Sequence, residues 1–214
     1  MILECRNVEK SFSTSQKIVH IAEFKLNQNS QIAIRGESGS GKSTFLNLCA
    51  GLLTADKGEI LLHGENITNL SEPQRDQMRA RHIGYLHQQF LLLHGFTAIE
   101  NLIIPMQLAG KEDIPFAQNL LKELGIDKHR NSTPSQMSIG ERQRLALARA
   151  LVNKPSLVLA DEPTASLDEK NSESAIKLLQ DLCAEYETSL IVVTHERSIW
   201  DKFQNKREWE EINR

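Results

Sequence analysis

Hydrophobic residues along this chain recur with two different periods. Four short, β-branched apolar runs stand out: QIAIR at Gln31–Arg35, IGYLH at Ile83–His87, SLVLA at Ser156–Ala160 and SLIVVT at Ser189–Thr194. Short apolar runs bounded by turn residues predict strands buried on both faces. Each gives way to polar chemistry, at Gly36, Gln88, Asp161 and His195 respectively. A helical period follows two of them, over Lys42–Ala50 and Glu169–Ala184, so strand and helix alternate as in an α/β protein with a parallel sheet. In such sheets the ligand lies beyond the carboxyl ends of the strands, which makes the four polar endings one candidate site. ILECRNV at Ile2–Val8 and KIVHIAEFKL at Lys17–Leu26 alternate instead, and predict a small N-terminal antiparallel sheet. From about Phe90 to Leu151 the pattern is mostly helical, with candidates at Thr97–Leu108, Ile114–Leu124 and Ile139–Leu151 set apart by Gly110, Gly125 and Pro134. This stretch reads as an inserted helical lobe within a single domain covering residues 1–214.

Composition narrows the function classes. With 40% hydrophobic and 25% charged residues the chain has ordinary globular usage. A net charge of -3 provides no field that would draw it to nucleic acid or anionic lipid. The three cysteines, Cys5, Cys49 and Cys183, lack the paired spacing of a zinc site and are expected as buried, reduced thiols. No apolar run approaches the ~20 residues of a spanning helix, and the first ten residues carry charges where a secretion signal would be apolar. The expected location is therefore cytoplasmic.

Two segments carry the chemistry. GESGSGKS at Gly36–Ser43 fits the phosphate-loop pattern and lies between a predicted strand and a predicted helix. Glycines 36, 39 and 41 let backbone N–H groups close around phosphate oxygens, Lys42 neutralises charge, and Ser43 is suited to hold Mg²⁺ at the helix N-terminus. The second is LVLADEP at Leu157–Pro163, a strand delivering two adjacent carboxylates that diverge. Asp161 can turn to the metal and Glu162 to an attacking water, a division that suits phosphoryl transfer.

SQMSIGERQRLALARAL at Ser135–Leu151, just upstream of the Asp161 strand, resembles the signature region of ABC ATPases. The usual L-S-G-G-Q reads here Met137, Ser138, Ile139, Gly140 and Glu141, with Ile139 in place of the first glycine. The resemblance implies a P-loop ABC ATPase core with a mostly parallel sheet, an N-terminal antiparallel subdomain and an inserted helical subdomain. It implies that Gly36, Glu37, Ser38, Gly39, Ser40, Gly41, Lys42, Ser43 and Thr44 line bound ATP. Gln88 would be the Q-loop residue and a metal contact beside Ser43 and Asp161, Ser166-Leu167-Asp168 the D-loop, His195 the switch histidine, and Phe12 the ring stacked on adenine. Phe12 could equally be a packing residue, since an adenine platform needs only one exposed ring face.

Ile83–Gly110 further resembles the lipoprotein-releasing, macrolide-exporting and cell-division branch, through Gln88, an apolar stretch, and Glu100, Asn101 and Pro105. What this implies is a separate integral membrane permease as partner, docked on Phe90–Leu93 and Phe96–Asn101, with the chain peripheral on the cytoplasmic face of the membrane. Individual residues of Phe90–Leu93 could instead be core. The family mechanism pairs two copies head to tail around two Mg·ATP, with Ser138 and Gly140 of one copy completing the other's site and Asp168 linking the two. A translation-acting or DNA-repair ABC ATPase would need a second such domain or an inserted coiled coil, and a small-molecule kinase would leave the Ser138–Glu141 segment unexplained. After His195 the tail lacks the hairpin usual in the family, leaves room for one strand, and is expected to pack Trp200 and Trp209 locally. Ile139, stiff and bulky, either points away from the phosphate and packs into the helical lobe, which is the expectation here, or holds the dimer slightly open.

Overall fold

The computed structural model describes residues 1–13, 16–165 and 167–214, apart from the side chains of residues 13, 16–18 and 169–170. Two sheets organise the chain. Strands β1 (Leu3–Ser13) and β2 (Gln16–Leu26) pair antiparallel, and β4 (Lys57–Leu62) lies antiparallel to the other edge of β1, followed by the short β5 (Glu65–Asn66). The second sheet is wholly parallel, in the order β6 (Ile83–Leu86), β7 (Leu157–Asp161), β8 (Ser189–Thr194), β3 (Gln31–Arg35) and β9 (Asn205–Glu208). β8 is buried at every position, and β7 at all but its last. That explains their continuous apolar runs, since each is covered on both faces. The α/β class and the N-terminal antiparallel sheet expected from the sequence are both present.

Helices α1 (Lys42–Cys49), α2 (Glu72–His82), α3 (Ala98–Leu108), α4 (Ile114–Glu123), α5 (Ile139–Leu151) and α6 (Glu169–Glu185) flank the sheets. Side-chain caps set several N-termini: Thr97 and Glu100 form a reciprocal box on α3, and Ser138 and Glu141 do the same on α5. The core has two parts. One joins α3, α4, α5 and α6 to one face of the parallel sheet, through residues such as Leu102, Leu121, Leu145 and Leu179. The other fills the space between the two sheets around α1, through Phe24, Phe45, Ile34 and Leu159. α5 and β6 come close at Gly84, where an added Cβ would stand 2.1 Å from the Ala150 carbonyl oxygen.

The apolar pattern did not reveal β4, β5, α2 or the tail helices. α2 buries only Met78 and therefore has no apolar stripe, although Ser71, Pro73 and Gln74 mark its start. The tail adds α7 (Arg197–Trp200), the edge strand β9 and α8 (Trp209–Ile212). The single tail strand is present and pairs with β3, tied by Arg35 Nη2 to Glu208 Oε1 at 2.5 Å. Trp200 does pack locally, its indole N–H donating to the Arg207 carbonyl at 3.2 Å. Trp209 does not. It is 1% exposed and reaches across the molecule to Phe45 and the Gly36–Gly41 loop, because the sheet carries α8 to the foot of that loop.

Cys5, Cys49 and Cys183 are all buried free thiols, and burial pushes the Cys183 thiol up to about 12. All three thus keep small apolar roles. Among the described residues no helix is long and apolar enough to cross a membrane.

Candidate nucleotide site

Strand register brings the polar endings into line. Arg35 lies level with Thr194, Asp161 with Val193, and Leu86 with Ala160, so Gly36, Glu162, His195 and Gln88 all emerge at one edge of the parallel sheet. The loop after β3 turns through Gly39 (φ +78°) and Gly41 (φ +105°), left-handed conformations that glycine adopts without penalty. Gly41 is the N-cap of α1, so the leading amides of that helix face the loop as unsatisfied donors.

Lys42 is the first residue of α1 and is buried. Its Nζ donates to the carbonyls of Gly36 at 2.8 Å and Glu37 at 2.6 Å, curling over the loop. Burial draws its pKa down, against the opposing pull of Glu162, Asp161 and Glu210. A cation desolvated this way gains most from an arriving polyanion. The Ser40 hydroxyl in the same loop is buried without a hydrogen-bond partner, an orphaned polar group of the kind a bound ligand can satisfy.

Ser43 Oγ lies 3.0 Å from Asp161 Oδ1. Burial raises the Asp161 carboxyl and Glu162 beside it adds to the rise, while the Ser43 hydrogen bond and Lys42 oppose it. A hydroxyl and a carboxylate converging on one point form a hard-oxygen donor set. Such a pair suits an ion that takes its remaining ligands from water and phosphate, as Mg²⁺ does. Among the described residues no group of three or more His, Cys, Asp or Glu gathers to hold a metal.

Glu162 adopts φ +46°, unusual for a residue with a Cβ. Its N–H donates to the Val193 carbonyl at 3.0 Å, and its Oε2 accepts the His195 N–H at 3.3 Å. Oε1 stands 2.9 Å from His195 Nδ1. The strained backbone turns the carboxylate from the line of β7 toward the end of β8, a placement of the kind found where chemistry is done. Two buried residues that drew no notice in the sequence support this corner. Thr164 donates to Glu196 Oε1 at 3.1 Å, and Gln143 on α5 donates to the Pro163 carbonyl at 2.9 Å. Thr164 belongs to no apolar period or motif, and Gln143, although inside the Ser135–Leu151 segment, has no expected role there.

The remaining expected residues are dispersed. Gln88 is exposed and lines a hollow with Gln89, Phe90, Leu92, His94 and Arg142, and among the described residues no hydrogen bond joins it to Ser43 or Asp161. Phe12 is 60% exposed, which removes the packing alternative and leaves a ring face open. Ser138 caps α5 by accepting the Glu141 N–H at 3.3 Å. A Cβ on Gly140 would meet nothing within 4 Å, so the chain's own fold does not require a glycine there. Ile139 is 47% exposed, contrary to the expectation that it packs into the helical lobe: as the first residue of α5 it projects outward. Asp168 caps α6 by accepting the Asn171 N–H at 3.0 Å, while Ser166 lies outside the described residues.

Of the expected docking face, Leu91 (52% exposed), Leu93 and Phe96 are open, whereas Leu92 and Asn101 are buried. Asn101 holds the loop before α3, its amide donating to the carbonyls of Leu93, Phe96 and Thr97. Arg149 clamps the left-handed Phe90–Leu91 turn through both carbonyls, at 2.6 and 2.5 Å.

Residues 19–165 match the family model described as ABC transporter. The chain is 41% identical over 206 residues to the lipoprotein-releasing system ATP-binding protein LolD of Francisella tularensis, covering 93% of this chain and 89% of that protein. It is 40% identical to LolD of Psychrobacter arcticus, with 92% and 91% covered. Among solved structures it resembles the dimeric ATP-binding cassette MJ0796 in a post-hydrolysis state bound to ADP and Pi, with a TM-score of 0.87, 29% identity, and 97% and 94% of the two chains covered. It also resembles cbiO1 from Clostridium perfringens, part of the ABC transporter complex cbiONQ, with a TM-score of 0.80, 26% identity, and 91% and 78% covered. Phosphate loop, paired carboxylates and helical signature segment lie in one cassette whose relatives bind ATP and its hydrolysis products, and the chain belongs to the ABC transporter family as one of its ATP-hydrolysing subunits.

Proposed function

We propose that this subunit works as a head-to-tail pair of copies on the cytoplasmic face of a membrane, powering a separate permease that releases lipoproteins or similarly lipid-like cargo. The observation that carries the hydrolytic part is the convergence of Lys42, Ser43, Asp161, Glu162 and His195 at one edge of the parallel sheet. Residues 1–214 then form one nucleotide-binding domain with a helical lobe at about 90–151. The loop from Gly36 to Thr44, including Glu37, Ser38, Gly39, Ser40 and Gly41, wraps the phosphates. Lys42 leaves its carbonyl partners for the β and γ phosphates, and the exposed ring of Phe12 stacks on adenine.

Ser43 and Asp161 would hold Mg²⁺, with Gln88 drawn in as a further contact, and the ion would offset charge on the transferred phosphoryl group. Glu162 orients the attacking water and takes its proton. His195 presents Nδ1 to Glu162, which leaves Nε2 facing the γ phosphate and keeps the water in line. Ser138 and Gly140 of one copy approach the nucleotide of the other, and Asp168 links the two sites. The open apolar residues Leu91, Leu93 and Phe96 suit a permease helix, and the LolD likeness favours lipoprotein release as the work done.

Exchange of Glu162 for Gln tests the hydrolytic assignment. The amide keeps the shape but cannot accept a proton, so ATP affinity by calorimetry should stay within about twofold while turnover falls ~10²-fold or more. A turnover equal to the parent's overturns the reading. In the same assay Lys42→Ala should abolish measurable ATP affinity.

A further inference from the structure

The tail after His195 departs from the hairpin usual in this family, and the largest side chain it buries reaches the nucleotide site. Trp209 lies under the phosphate loop: its Cβ would stand 2.6 Å from a Cβ on Gly36, and its ring meets Phe45 of α1 at 5.6 Å between centroids. Its indole N–H donates to the Ser40 carbonyl at 2.8 Å. That carbonyl belongs to the Ser40–Gly41 peptide, which is trans, as are all the described peptide bonds. In a trans peptide the C=O and the following N–H point in opposite directions. Drawing the Ser40 oxygen down toward Trp209 therefore aims the Gly41 N–H up into the cradle. There it stands at the N-terminus of α1, where amides have no helical partner.

Without that hold, the Ser40–Gly41 peptide turns about ψ of Ser40 and φ of Gly41, and Gly41 is a glycine already in the left-handed region. Glycine passes between φ regions at little cost, so the peptide could rotate and turn its oxygen toward the phosphates. An oxygen in place of an N–H would repel the anion it is meant to bind. We infer that Trp209 is a positioning residue for nucleotide binding: its indole N–H fixes the orientation of the Ser40–Gly41 peptide so that the Gly41 amide is ready for a phosphate oxygen before ATP arrives. This rests on the phosphate-loop reading above.

The test separates the N–H from the bulk of the ring. Trp209→Phe removes the donor and keeps an aromatic contact with Phe45. Replacement of Trp209 by β-(3-benzothienyl)alanine keeps the bicyclic shape and exchanges only N–H for sulfur. Affinities for ATP, ADP and inorganic tripolyphosphate are measured by calorimetry on the full chain, with thermal melting without nucleotide alongside. Loss of one neutral hydrogen bond corresponds to a weakening of about 2- to 10-fold. The expected result is this loss in both variants, by a similar factor for all three ligands, with the benzothienyl protein melting like the parent. Parent-like affinity in the benzothienyl protein would overturn the inference, and a Trp209→Phe loss tracking only a lowered melting temperature would assign Trp209 to packing. Lys42→Ala serves as the control: if it leaves affinity intact the phosphate-loop reading fails, whereas its loss beside intact benzothienyl binding refutes the Trp209 role alone.

Discussion

Gly140 and Glu141 occupy the same turn, one proposed to face a second copy and the other holding its own helix. Nothing in the chain meets a Cβ at Gly140, and alanine in a helix is favoured over glycine by about 1 kcal/mol. Gly140→Ala should therefore leave the melting temperature unchanged or slightly raised. ATP turnover should fall ~10-fold or more, as the added methyl would stand in the proposed path of the second copy's nucleotide. Parallel melting and ATPase assays decide it, and unchanged turnover would remove Gly140 from the site. Glu141 is held at about 2 by hydrogen bonds from the Ser138 backbone and hydroxyl, with Lys128 and His129 adding to them. Because its folded pKa lies below the ordinary 4.5, its contribution is complete above that value and disappears as pH falls toward 2. In urea unfolding at stepped pH, the stability gap between the parent and Glu141→Gln should be constant above pH 5 and close on further acidification. A gap independent of pH would contradict this. At this scale the sequence was highly legible where a motif names the residue: Lys42, Ser43, Asp161, Glu162 and His195 emerge at one strand edge as their spacing predicts. Gln143, Thr164 and Trp209 were opaque because their partners lie at least 20 residues away and are backbone carbonyls or a side chain that no pattern marks.

Among the elements, legibility followed burial. β3, β7 and β8 are covered on both faces, so their apolar runs announced them, whereas α2 and β9 are held mostly at their edges and ends and carry no period to read. Ile139 was misjudged for a related reason. Hydrophobicity reports what a side chain avoids and not which surface it will avoid it on, and Ile139 at the start of α5 stands 47% exposed. The tightest joint between elements is at Gly84, where β6 passes the end of α5. An alanine there would place its Cβ 2.1 Å from the Ala150 carbonyl oxygen, a backbone atom that cannot swing aside. Overpacking of this kind costs typically about 1–3 kcal/mol, which for a domain of this size lowers Tm by about 2–12 °C. Gly84→Ala should show that fall by calorimetric melting, while Gly95→Ala, where an added Cβ meets nothing within 4 Å, should shift it little. Equal shifts would mean that α5 stands farther from β6 than the geometry implies.

Across the whole molecule, no hydrogen bond or ion pair among the described residues ties Ser138 or Gly140 to the Lys42, Asp161 and Glu162 cluster. The phosphate loop and paired carboxylates line one edge of the parallel sheet, while Ser138 and Gly140 sit at the exposed start of α5 and contact none of them. A chain so built has the parts for hydrolysis but not in one place, and the dimeric MJ0796 cassette shows a related chain in a paired arrangement. The central claim is that each working site is shared between two copies, and mixing two inactive variants tests it most directly. One carries Lys42→Ala, which disables its own phosphate loop; the other carries Gly140→Asp, which brings a negative charge against its partner's nucleotide. In a mixed pair the two lesions fall in the same site and the second site is whole. Steady-state ATPase activity of the 1:1 mixture should rise well above that of either variant alone, toward about a quarter of the parent's rate if copies pair at random in a two-fold dimer. A mixture no more active than its components would contradict the shared site.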